Sequence, residues 1–149
     1  MQPVKAAAMT LFIASGIQAA ERVTYEEHIK PLMEARCIGC HGVASPLIEE
    51  FDKDIPKFKA MNLGPRMDSY ELLKGFIDGG DAGAIARRLD DGSHSADGKP
   101  GNMYENLGDS AEERAKNLAL FKEWAGLWSL KKPAQLTDAE SALFKALER

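Results

Sequence analysis

The chain has 149 residues, enough for one domain with a single hydrophobic core. Hydrophobic residues make up 44% and charged residues 28%, which excludes a disordered or fibrous chain, and a formal net charge of −4 argues against nucleic acid as a partner. The only two cysteines, Cys37 and Cys40, sit three positions apart, too few and too close for a disulfide framework, so they act as one motif.

Residues 1–20 have the pattern of a secretory signal peptide. Lys5 supplies the positive end, Ala6 to Ile17 a short apolar stretch, and Gln18-Ala19-Ala20 a small-residue end. The stretch falls short of the ~20 residues that a membrane-spanning helix needs. Its removal takes away Lys5 and no acid, leaving residues 21–149 one unit more negative than the whole chain. The expected location is the periplasm, with no stable membrane span after cleavage.

The mature part divides into helical stretches separated by glycine, with no alternating β-branched run, and the expected fold is all-α. Thr24-Tyr25-Glu26-Glu27 forms a capping box, and Tyr25, Ile29, Leu32 and Met33 recur at helical spacing up to the cysteines. Pro31 should bend this first helix. A second helix is expected from Asp68-Ser69-Tyr70-Glu71 to Gly79-Gly80, and a third over Ala82 to Leu89. Residues 91–109, rich in Gly, Ser, Asn and Asp, form a long loop of the kind that small domains use for function. Ser110-Ala111-Glu112-Glu113 caps a helix with an apolar stripe of Leu118, Phe121, Ala125 and Trp128, and with Trp124 beside it. Thr137-Asp138-Ala139-Glu140 opens a last short helix with Leu143, Phe144 and Leu147. The expected division is a core of about 23–128 and a C-terminal helical extension of about 129–149.

The chemistry lies in Cys37-Ile38-Gly39-Cys40-His41. Thiols at i and i+3 reach both vinyl groups of one haem, and the next residue places its imidazole under the iron. Cys37 and Cys40 are therefore the expected thioether positions and His41 the proximal ligand of one covalent haem c. A thioredoxin-like redox pair would need a βαβ setting, and a structural zinc site a fourth ligand near His41. The sequence pattern supplies neither.

With this motif near the mature N-terminus, a preceding helix, a Met-bearing loop and a helix with aromatic residues after it, residues 23–128 resemble the class I c-type cytochromes, the small His/Met electron carriers. That resemblance implies a small helical domain wrapped around one covalent haem, with the first and last core helices crossing and a third packed along the haem edge. Cytochromes c′ match less well, because those four-helix bundles carry the motif near the C-terminal end.

The candidates for the sixth iron position are Met61, Met67, Met103, His28 and His94. Met103, in Lys99-Pro100-Gly101-Asn102-Met103 ahead of the capped C-terminal helix, resembles the ligand loop of class I cytochromes. Met67, in Gly64-Pro65-Arg66-Met67, is the alternative. His28 and His94 are expected to be solvated. Tyr70, Trp124, Arg66, Arg87 and Arg88 could approach haem propionates, with packing or solvation as their other reading. His41 should donate its other ring N–H to a backbone carbonyl; the resemblance implies that a proline after the motif supplies it, with Pro46 as the candidate.

Two functions follow from such a site. The first is outer-sphere electron transfer, with ferric and ferrous states alternating and transient docking to redox partner proteins that offer a basic surface. The second is haem-based ligand binding or sensing, or service as a haem subunit of a larger oxidoreductase, for which the sixth position must open. Paired carboxylates, a Ser-His-Asp set and a phosphate loop are all missing from the sequence pattern, so no independent enzyme is expected.

Overall fold

The computed structural model describes residues 22–149, and the expected signal segment 1–20 lies outside the described residues. Every regular element in the described part is helical. None of these helices is long and apolar enough to cross a membrane.

The first helix departs from regular α geometry where Pro31 forces it to. Tyr25–Ile29 form a π-helical turn in which Lys30 N–H donates to Tyr25 O, and α1 (Lys30–Arg36) follows with Pro31 in its first turn. A proline there forfeits no helical hydrogen bond, so the widened turn absorbs what would otherwise be a kink. Thr24 caps through Oγ1 to Glu27 N–H at 3.4 Å. The return bond of the expected box is absent, because His28 Nδ1 accepts from Thr24 N–H at 3.2 Å in place of Glu27.

The chain breaks at Cys37 (φ −119°) and resumes as α2 (Ile38–His41), then α3 (Ile48–Phe51) and α4 (Ile55–Ala60). The last two are not foreseen from the sequence, since at four and six residues each is too short for its single apolar pair, Ile48 with Phe51 or Ile55 with Phe58, to establish a helical period. The expected second helix is shorter than its pattern: α5 covers Tyr70–Lys74, with Ser69 as its cap. Helix continuation would need Phe76 O for the N–H four residues on, but that carbonyl accepts from Ile85 N–H at 3.2 Å and ties the following turns to α6 (Ala84–Leu89). A 3₁₀ turn, Tyr104–Leu107, precedes α7 (Ala111–Ala125). Another, Pro133–Gln135, precedes α8 (Asp138–Ser141), where the expected capping box of Thr137 and Glu140 is complete in both directions.

The core sits where α7 packs on the N-terminal π-helical turn and on the 3₁₀ turn Tyr104–Leu107. Ile29, Leu73, Phe121 and Trp124 are essentially inaccessible. Trp124 is central to the buried face and not beside it, with its ring 6.1 Å from Tyr25 and 6.5 Å from Phe121. Arg36 ties the end of α1 to the start of α7 through Asp109 (2.9 and 3.1 Å) and Glu113 (2.5 Å). The C-terminal residues return to this same region. Lys145 and Ala146 N–H donate to Ala125 O and Trp124 O, Trp124 Nε1 donates to Leu147 O, and Tyr25 N–H donates to that same oxygen at 2.8 Å. Tyr70 Oη donates to Ala146 O at 2.9 Å, so the last residues bridge both ends of the helical core.

Candidate haem-binding site

The break at Cys37 shapes the site. His41 N–H donates to Cys37 O at 3.0 Å and Cys40 N–H to the same carbonyl at 3.1 Å, so one short turn carries both sulfurs and the imidazole. All three side chains line a cavity of about 460 Å³, and no disulfide joins the two cysteines. Before haem attachment, burial pushes the Cys37 thiol up to about 11 and so keeps it protonated at neutral pH. Asn62 Nδ2 donates to Cys40 Sγ at 3.3 Å.

His41 Nδ1 lies 2.7 Å from Pro65 O. A carbonyl only accepts, so Nδ1 carries the proton and Nε2 keeps its lone pair for a metal. The expectation had fallen on Pro46, whose carbonyl instead accepts from Arg66 N–H at 2.7 Å. Proline 46 follows His41 too closely to turn back over its ring, whereas the excursion through α3 and α4 brings Pro65 onto it. The signal that could have found this partner is Gly64-Pro65. A Cβ on Gly64 would lie 2.6 Å from His41 Nδ1 and closer still to Cε1, so only glycine lets the backbone pass this near the ring.

Gly64→Ala should displace the imidazole, lengthen its bond to Pro65, and destabilise the protein by about 1–3 kcal/mol, the usual cost of overpacking. A less basic imidazole favours ferrous iron, so the midpoint potential of the variant should rise. Urea unfolding and potentiometry check the two effects.

Both candidate methionines in loops reach the cavity. Met67 is buried, and its N–H donates to His41 O at 2.9 Å. Met103 is partly buried; its N–H donates to Arg88 O at 2.9 Å, and Asn106 Nδ2 lies 3.6 Å from its sulfur. Met61 is 58% exposed, and it does not line the cavity. His28 serves the N-terminal cap and His94 pairs with Asp90, both away from the cavity. Of the residues considered for propionates, Arg88 lines the cavity, beside Asn102. Arg66 is paired with Asp68 and Arg87 with Asp81, while Tyr70 and Trp124 belong to the core and its C-terminal bonds.

Two sulfurs, a correctly protonated imidazole and a largely apolar chamber with thioether side chains fit one haem better than a bare metal ion. A family model described as PccH cytochrome c matches residues 24–148. The chain belongs to that family. It is similar to the solved monohaem cytochrome PccH from Geobacter sulfurreducens, with 44% sequence identity over 85% of this chain and 99% of that one, and a TM-score of 0.80. No curated protein matches. The cytochrome is thus an electron-transfer protein with one covalently bound haem c and the all-α fold of its class, a carrier and not an enzyme.

Proposed function

We propose that Cys37 and Cys40 form the two thioether attachments, that His41 Nε2 is the proximal iron ligand, and that Met103 Sδ is the distal one. The observation that carries the choice of methionine is the backbone around His41. Gly64 N–H donates to Cys40 O at 2.8 Å and Met67 N–H to His41 O at 2.9 Å, so the segment with Met67 runs along the proximal residue itself. Met103 approaches from a separate segment fastened to the end of α6. A six-coordinate haem needs its two axial ligands on opposite faces, which favours Met103. Bound there, the haem supplies one-electron exchange between ferric and ferrous iron. The chain keeps water from it with apolar side chains such as Met33, Ile85, Leu89 and Phe121 and holds both ligands in place.

Spectra of the oxidised and reduced protein, with and without carbon monoxide, test this reading. A low-spin iron in both states with slow carbon monoxide uptake supports two protein ligands; rapid uptake by the untouched protein points to an open sixth position.

Residues 1–20 act as a signal peptide and 21–149 as the periplasmic cytochrome domain, a reading supported by Lys5, the apolar stretch and the small-residue end. The mass of the exported protein tests the cleavage. The redox partner offers a basic surface. Beside the haem cavity lies a groove with four acids, Glu49, Asp52, Glu71 and Asp81, against one cation, Arg66, which is paired with Asp68; Asp52 and Asp81 line both spaces. This local charge adds to the net negative charge of residues 21–149, one unit below the −4 of the whole chain. Raising ionic strength from about 0.01 M to about 0.15 M shortens the Debye length from roughly 30 Å to roughly 8 Å. Stopped-flow electron transfer with a basic partner should therefore slow over that range; a rate indifferent to salt removes the charge argument.

A further inference from the structure

The segment between α6 and Met103 contains a carboxylate that is buried and yet takes no part in lining the haem cavity. Asp90, directly after the last residue of α6, is 1% exposed. Its Oδ1 accepts from Gly92 N–H at 2.8 Å and from His94 N–H at 3.2 Å. Its Oδ2 lies 2.8 Å from Trp128 Nε1 and 2.8 Å from His94 Nδ1, both of which donate to it. Burial alone would push this carboxyl up, but the hydrogen bonds from Trp128, His94 and Gly92 outweigh it and hold the group below the usual carboxylate range. Asp90 is therefore an anion with two donors on each oxygen, and such charge-assisted bonds are among the stronger ones in a protein.

The bonds are arranged around one loop. Gly101 N–H donates to Asp90 O at 2.8 Å and Met103 N–H to Arg88 O at 2.9 Å, so the chain leaves α6 and returns to its end. Ser95 Oγ braces the interior of the loop, 3.1 Å from Gly92 O and 2.9 Å from Lys99 O. The return limb presses on the helix end: a Cβ on Gly101 would lie 2.7 Å from Arg87 O and closer still to Arg88 O. Arg88 and Leu89 before the loop, and Asn102 and Met103 after it, line the haem cavity, but no residue from 90 to 101 does. The loop thus works from outside the cavity, and what it sets is where its second end lies. Asp90 closes it at the base and fastens that base to Trp128, three residues beyond the end of α7.

We propose that Asp90 is a positioning residue for the distal ligand: by joining the 90–101 loop to Trp128 it keeps Met103 at the haem cavity. The inference rests on Met103 as the distal ligand. Its physical content is a difference between local and global stability. A loop with its base bonds intact opens only when the domain unfolds, whereas a loop without them opens on its own at lower cost. Carbon monoxide, which needs the sixth position, reads this local opening directly.

The test uses the holoprotein with Asp90→Asn, which keeps the shape and removes the charge, and Trp128→Phe, which keeps an aromatic ring of smaller size and removes one donor. In a urea titration, the weak near-infrared iron-to-thioether band of the ferric state follows the distal ligand, and far-ultraviolet circular dichroism follows the helices. Loss of a hydrogen bond to a charged group should let ferrous protein bind carbon monoxide roughly tenfold faster. In both variants the band should disappear at lower urea than the helices, while in the parent protein the two transitions coincide. A merely structural role for Asp90 would move both transitions together and leave the carbon monoxide rate unchanged, and that result overturns the proposal. Should Asp90→Asn fail to fold, Trp128→Phe alone decides. Met103→Ala separates the two levels: if it keeps the band, the ligand assignment fails and the positioning role with it. If it loses the band while Asp90→Asn and Trp128→Phe match the parent, the positioning role alone fails.

Discussion

Replacing Cys37 and Cys40 together by alanine will abolish covalent haem retention, whereas the parent protein will keep one haem per chain through acid extraction. The two cysteines belong to a single turn whose N–H groups at positions 40 and 41 share the Cys37 carbonyl, and both cysteines line the same cavity as His41. Thioether carbon–sulfur bonds survive acid that unfolds the chain and protonates His41, so retention after extraction reports the sulfurs and nothing else. The effect should be complete in the double variant, and each single variant should keep one bond. Without haem the protein would have to hold open a cavity of about 460 Å³, so the double variant should also be less stable than the parent. Mass spectrometry of the extracted polypeptide and absorbance of the extracted haem measure the outcome. Haem still covalently bound in the double variant would refute the attachment assignment.

Met103→Ala will open the sixth position. The ferric near-infrared thioether band should vanish, the iron should become largely high-spin or take up water or another side chain, and ferrous protein should bind carbon monoxide readily. The potential should fall, because a neutral thioether favours ferrous iron; axial-ligand changes span about 0.8 V across haem proteins, and the loss of one thioether should take a fraction of that, on the order of 0.1 V. Two other methionines serve as controls with different expectations. Met67 is buried and lines the cavity, so Met67→Ala should lose about 2–5 kcal/mol of stability and keep the band. Met61 is exposed, so Met61→Ala should change stability by no more than about 0.5 kcal/mol. Loss of the band in Met67→Ala, with its retention in Met103→Ala, would transfer the ligand role to Met67.

Features that depend on short separations along the chain were legible without the fold. The helical character of the N-terminal segment, α6, α7 and α8 was legible because caps and apolar spacing act within a few residues; Ser110 and Thr137 cap the helices that their boxes announce. The haem motif was legible for the same reason, since its geometry is that of one turn. Short separations also misled at some points. Thr24 and Glu27 have the spacing of a capping box, but His28 takes the bond, and the pattern after Ser69 runs on to Gly80 although Ile85 claims the carbonyl that a continuing helix would need.

Which distant groups share a surface could be read only from the folded chain. Pro65, and not Pro46, orients His41, because a carbonyl can face the ring only after the chain has travelled through α3 and α4 and passed the imidazole at Gly64. Trp128 reads in the sequence as one more apolar residue of the α7 stripe, yet it lies beyond the helix end and spends its indole N–H on Asp90. The last residues carry no pattern that names Tyr25, Tyr70 or Trp124 as partners, but their carbonyls accept from all three. Local propensity selects a turn at small cost because its ends are already close. Pairings such as these require many residues of chain to be ordered at once, and burial of the shared core, whose composition fits many arrangements, is what selects among them.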